Sequence, residues 1–238
     1  MRANNPHLNI LSEHLKALQR EKRRKHHRLQ HQLHRQFKIS KATLFYIKEY
    51  GPHTHIAKTI IRESLKILLL ASFFSSFGGA ALERIKLAFV MIIPLTILLP
   101  TLNDMIGDFG TVISSRFSTM LHDGEIHIGD YFHPKLLKLI AQILLIALVA
   151  GTLSASLALL ISVFHHVHLS FILIDKVFLI TIIDVFVLIS FLSGLAVVSG
   201  FYFFKKGEDP SNFLIPITTS VADFGNMLLL GLLVRLLF

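Results

Sequence analysis

Asp209-Pro210-Ser211-Asn212-Phe213-Leu214-Ile215-Pro216-Ile217-Thr218-Thr219-Ser220-Val221-Ala222-Asp223 is the stretch that decides the fold. Asp209 can accept from the first free N–H groups of a helix, and Pro210 suits the first turn because it has no N–H to leave unpaired. Phe213 to Ile217 and Met227 to Leu233 are apolar flanks. A helix from about 210 onward, rising roughly 1.5 Å per residue, crosses a bilayer with Asp223 near its middle. An ionised side chain at that depth costs roughly 2.5–3.5 kcal/mol on insertion scales, so by default it marks an ion or substrate path.

The rest of the chain fits a membrane setting. Apolar residues make up 53% of its 238 residues and the mean hydropathy is +0.61, both high for a soluble domain. The net charge of +9 sits wholly in residues 1–42, where eleven Lys and Arg face two acids. The rest of the chain is neutral. The absence of cysteine excludes disulfides and thiolate metal sites. The first sixty residues lack an apolar run, so no cleavable signal peptide is expected.

Five hydrophobic segments are expected to span the membrane, which makes the fold class an all-α integral membrane protein. The first, Leu65 to Leu82, is rich in Ser, Gly and Ala, which let helices approach closely. The second starts near Ile85 and is read as a broken helix. Pro94 and Pro100 kink it, and Asn103-Asp104-Met105-Ile106-Gly107-Asp108-Phe109-Gly110 interrupts it before a helical pattern resumes. Leu139 to Val163 is uncharged, and Val177 to Phe204 holds only Asp184. The helix of Asp223 is the fifth.

An inside N-terminus puts Lys48, Lys58, Arg62, Lys66, Lys135, Lys138, Lys205 and Lys206 in the cytoplasm and leaves Arg84 and Lys86 outside, with Lys176 a further candidate there. The C-terminus then faces out, as befits an odd number of spans in the cell membrane.

Asn103, Asp104 and Asp108 are candidate cation ligands, because unwound backbone at membrane depth frees carbonyls beside them. The competing reading makes residues 102–124 a plain loop, since Asp and Gly are ordinary turn residues. Asp184 is a secondary candidate, either a second cation or proton site or a structural partner of Arg116 or of a neighbouring helix. His165, His166 and His168 have the chemistry to bind a transition metal, but read better as ordinary loop histidines.

Two motifs carry a family resemblance. Gly107-Asp108 followed by Ser114-Ser115-Arg116-Phe117-Ser118-Thr119 resembles the Gly-Asn…Ala-Ser-Arg-Leu-Ser-Thr signature of the MgtE and solute carrier family 41 magnesium transporters. Asp209-Pro210-x-Asn212…Pro216…Thr219…Asp223 resembles that family's second signature at the same spacing. The likeness covers about residues 60 to 238. It implies an MgtE-type transmembrane domain of five helices over 65–238, working as a homodimer, with the cation path between the two copies. It also implies that Asp223 is the central metal ligand, with Asp108, Asp104, Asn103 and Asn212 as the further candidates.

Mg²⁺ is then the transported and bound ion, with no other cofactor and no enzymatic activity, and another divalent cation is the alternative cargo. Mg²⁺ suits one or two carboxylates plus retained waters. Asp108 stands where the family has Asn, and Ile215 where bacterial MgtE has Asn, so selectivity does not carry over. No counterpart of the bacterial regulatory domains is expected in residues 1–42, which are basic instead.

Residues 1–42 form a basic cytoplasmic tail or amphipathic helix, with Leu11, Leu15 and Leu18 on one face and Leu29, Leu33 and Phe37 on another. It is expected to contact anionic lipid headgroups, a partner ranked above nucleic acid. Residues 43–64 are juxtamembrane. Two rival functions compete with transport. An intramembrane aspartyl protease would pair Asp184 with Asp223 or Asp104, although its Pro-Ala-Leu motif is missing; a scaffold subunit would use the carboxylates only for helix pairing.

Overall fold

The computed structural model describes residues 13–16, 26–39, 43–44, 47, 56–206 and 208–238, and among these the only regular structure is helical. The helices are α1 (His26–Phe37), α2 (Ile56–Met91), α3 (Ile93–His122), α4 (Pro134–Phe164), α5 (Phe171–Lys205) and α6 (Pro210–Leu237). In three of them a stretch is long and apolar enough to cross a membrane: Leu65–Glu83 within α2, Pro134–Phe164 and Pro210–Leu237. The expected five spans meet three helices that qualify by length and composition. α3 and α5, of 30 and 35 residues, have the length as well.

Local chemistry sets the helix starts. Pro210 and Pro134 stand in the first turns of α6 and α4, and Ser170 Oγ caps α5 by accepting from Leu173 N. Asp209 caps α6 as its sequence suggests, accepting from Ser211 N at 3.0 Å.

One expectation is overturned. The second span is not broken at 103–110, nor are residues 102–124 a loop; α3 is helical from Ile93 to His122, through Pro100 and the whole Asn103–Gly110 stretch. The interruption falls earlier, at the single residue Ile92, and residues 85–91 belong to α2. The physical reason is that Asn103, Asp104 and Asp108 lie along one wall of a cavity. Their polar groups are met there without unwinding the backbone.

α6 is the central element, packed against α2, α3 and α5, while α4 closes the bundle against α3 and α5. The core between them is aliphatic, with Leu102, Ile106, Ile180, Val185 and Ala222 fully buried. α2 stands apart. Only 6% of its Leu65–Glu83 stretch is buried, and it leans on α6 through small residues. A Cβ at Gly78 would lie 3.3 Å from the Asp223 carbonyl oxygen and from Phe224 Cα, so only glycine permits this approach without displacement.

Of the N-terminal region, Leu33 is buried with Leu44, and Leu15, Phe37 and Ile39 pack against them. The apolar face carrying Leu33 and Phe37 thus has a partner within the chain. Leu11 and Leu18 lie outside the described residues.

Candidate cation site

Asp223 stands midway along α6 and faces a cavity of about 530 Å³. Asn103, Asp104, Gly107 and Asp108 of α3 line the same space, with Thr219 and Met227 of α6. Gly107 borders open space, since a Cβ there would meet nothing within 4 Å. Asp104 and Asp108, one turn apart, also line a second cleft of about 670 Å³ that reaches Ala150 and Ser154 of α4. Both carboxylates are exposed, on a molecule whose exterior also carries many Leu, Ile, Val and Phe side chains.

Asp223 is held from two neighbouring helices. Asn103 Nδ2 donates to its Oδ1 at 2.8 Å, and Ser75 Oγ of α2 donates to its Oδ2 at 3.0 Å. These donors offset the charge of a partly buried carboxylate without neutralising it, leaving it able to attract a cation. Among the described residues, no three His, Cys, Asp or Glu side chains converge closely enough to hold an ion directly.

The remaining predicted residues fall elsewhere. Asn212 lies in the first turn of α6, eleven residues before Asp223 and so about 16 Å away along the helix. It does not line the cavity. Asp184 is 0% exposed on α5, off the cavity wall and without an ion pair to Arg116, which is exposed. Of the two structural partners weighed for it, the neighbouring helix holds the nearer polar group, the Asn226 amide of α6. His165 and His166 end α4 in an ordinary turn, with His166 at φ 58°.

The Ser-Arg-Phe-Ser-Thr stretch divides by face. Ser114 bonds Thr218 of α6 at 3.1 Å and Ser118 reaches Asp209 Oδ1 at 3.4 Å, so both join α3 to α6. Ser115, Arg116 and Thr119 are exposed and continue the line of Asp104 and Asp108.

The family model for MgtE, the divalent cation transporters, matches residues 99–233, which contain all of this α3–α6 arrangement and more than half of the chain. The chain belongs to the MgtE family. Its members are transporters, not enzymes, and with that the aspartyl protease reading falls. Among curated proteins, solute carrier family 41 member 2 of Homo sapiens and of Macaca fascicularis are each 24% identical over 188 residues, covering 74% of this chain and 32% of theirs. The Gallus gallus protein of the same name is 24% identical over 179 residues, covering 70% and 30%. The chain thus spans about a third of the length of these relatives. No solved structure matches it significantly.

Two residues of the site escaped the sequence reading. Ser75 was visible only as one small residue among several, because its bond to Asp223 joins positions 148 residues apart. Asn226 passed unnoticed beside an apolar run, although its position one turn after Asp223 puts it on the same helical face.

Proposed function

We propose that the chain carries Mg²⁺ across the cell membrane along the wall formed by α3 and α6, with Asp223 as the principal carboxylate. The observation that supports this most is the alignment of Asp104, Asp108, Asn103 and Asp223 on one cavity wall of a family member. A hydrated dication fits that wall, since Mg²⁺ keeps several waters and needs only one or two carboxylates. Asp104 and Asp108 attract the ion and Asp223 receives it.

In this reading α2 to α6 all span the membrane. Asp104 and Asp108 of α3 line the cavity, and α5 carries only Asp184, fully buried, in its central stretch. The N-terminus is cytoplasmic and the C-terminus outside, with the basic tail toward anionic headgroups. Two copies face each other across the cavity, because lipid cannot cover a face bearing two exposed carboxylates. Asn212 belongs to the inner end of the path rather than to the ion's position at Asp223.

The test is divalent-cation flux into liposomes carrying wild type or Asp223→Ala, with Mg²⁺ compared against Ca²⁺ and Mn²⁺. Loss of flux in the folded variant supports the assignment. Undiminished flux rejects it.

A further inference from the structure

Away from the cation site, a cavity of about 410 Å³ opens at the end of the bundle where α2 meets α3 and α4 turns into α5. Two of the stretches that qualify as membrane spans stop there. Pro134–Phe164 ends shortly before Val167 in the cavity wall, and Pro210–Leu237 ends just before Phe238 in the same wall. The cavity therefore stands where hydrocarbon gives way to headgroups. Its volume falls within the range of roughly 300–1,000 Å³ common to ligand pockets.

The wall is apolar, with Ile92, Leu173 and Val167 in it, apart from two side chains, Ser170 and Lys176. Lys176 is half-buried, and its Nζ rests over the ring of Phe238, 4.4 Å from the centroid. The ring attracts the charge but leaves ammonium N–H groups to donate elsewhere. Among the described residues Lys176 forms no ion pair. Asp175 precedes it in sequence but stands about 100° round the helix and is exposed. Ser170 Oγ accepts from Leu173 N at 3.2 Å and keeps its own O–H to give. Arg235, in the last turn of α6, is exposed at the same end of the bundle and adds a second positive charge.

We propose that this cavity binds an anionic phospholipid, one acyl chain lying against the aliphatic wall and the phosphate meeting Lys176 and Ser170. The two halves of the wall select the occupant together. An acyl chain alone would leave the ammonium donors of Lys176 without acceptors, which is costly in apolar surroundings. A soluble anion would leave the aliphatic wall uncovered. A phospholipid serves both, and the membrane delivers it to this depth. The positive charge of a zwitterionic headgroup would find its aromatic partner, the Phe238 ring, already occupied by Lys176. Lysines near helix ends commonly extend to headgroups along a bare surface; Lys176 differs in having an enclosed apolar wall beneath its head.

The experiment takes the delipidated full chain in uncharged detergent and counts retained lipid by native mass spectrometry. The titrants are dioleoyl phosphatidylglycerol and dioleoyl phosphatidylcholine. Wild type should hold one phosphatidylglycerol about tenfold more tightly than phosphatidylcholine, as a charge-assisted contact predicts. Lys176→Gln should remove that preference and Lys176→Arg should keep it. Val167→Trp, which puts a large ring into the cavity from the connection between α4 and α5, should abolish the tight site for both lipids. Lys138→Gln, at the opposite end of α4, should change nothing. If Lys176→Gln does not fold, Val167→Trp carries the test.

Equal retention of the two lipids by wild type overturns the proposal. So does a loss with Lys138→Gln as large as with Lys176→Gln, because the lipid then answers only to overall charge. Displacement of the lipid by millimolar inorganic phosphate would make the site one for a free anion and overturn it as well. The readout needs no ion flux, so it stands or falls apart from the role of Asp223.

Discussion

Asp209 and Asp223 lie fourteen residues apart on one helix, and they are built for opposite ends. Asp209, 5% exposed, is enclosed by partners: Ser211 N at 3.0 Å, Ser118 Oγ at 3.4 Å and His122 Nε2 at 3.5 Å. Burial pushes its carboxyl up, but the hydrogen bond and charge of His122 and the bonds from Ser211 outweigh that and hold it below its ordinary value. Asp223 has two donors and an open cavity in front of it. A carboxylate buried among its donors fastens helices together; one with an open face has room for an ion. The difference lies in the neighbours, not in the residue.

The largest effect that could break this contrast is on flux. Asp223→Ala should reduce divalent-cation flux to the liposome background while leaving the protein folded, read by flux and thermal melting on the same preparation. Asp209→Ala should do the reverse, costing about 3 kcal/mol of stability, as loss of one partner of a buried pair does, with flux per folded molecule retained.

The pH dependence sharpens the same point. A carboxyl held below its ordinary value contributes stability that is fully present above the unfolded range and is lost as pH falls through the folded one. The melting gap between wild type and Asp209→Ala should therefore be full at neutral pH and shrink on acidification. A gap that widened on acidification would contradict the His122 pairing.

Smaller effects probe the wall around Asp223. Asp104→Asn and Asp108→Asn should each raise the half-saturating ion concentration about fivefold, since one charge across water contributes about 1 kcal/mol at contact distance. High salt should diminish both effects. Ser75→Ala should be milder still, about 1 kcal/mol or less, because a neutral donor is lost and the cavity's water can replace it. An Asp104 or Asp108 effect as large as that of Asp223 would move the centre of the site onto α3.

The Asp209–Pro210 cap, the small-residue character of the first hydrophobic segment and Asp223 at mid-helix were all legible, because each depends on residues close together in the chain. The break was misplaced. Pro, Asn, Asp and Gly are loop formers when judged locally, and only the packing of α3 beside α6 shows that their polar groups already face a cavity. Asn226 and Ser75 escaped for a related reason. Ser220 and Asn226 are both polar and buried on α6, but nothing in their spacing shows that Asn226 meets Asn103 whereas Ser220 bonds back to Ile217 O. Asp184 was recognisable as unusual, yet its nearest polar neighbour comes from a helix some forty residues later. Burial can be guessed from one segment; partnership needs two.

The one-residue joint at Ile92 has a mechanical consequence. Ser75 lies seventeen residues from it along α2, an arm of about 25 Å, so a tilt of α2 by only about 5° about that joint carries Ser75 roughly 2 Å. That displacement exceeds the tolerance of its bond to Asp223. The carboxylate at the centre of the bundle is thereby a gauge of the angle of its outermost helix, and whatever leans on α2 is registered at Asp223.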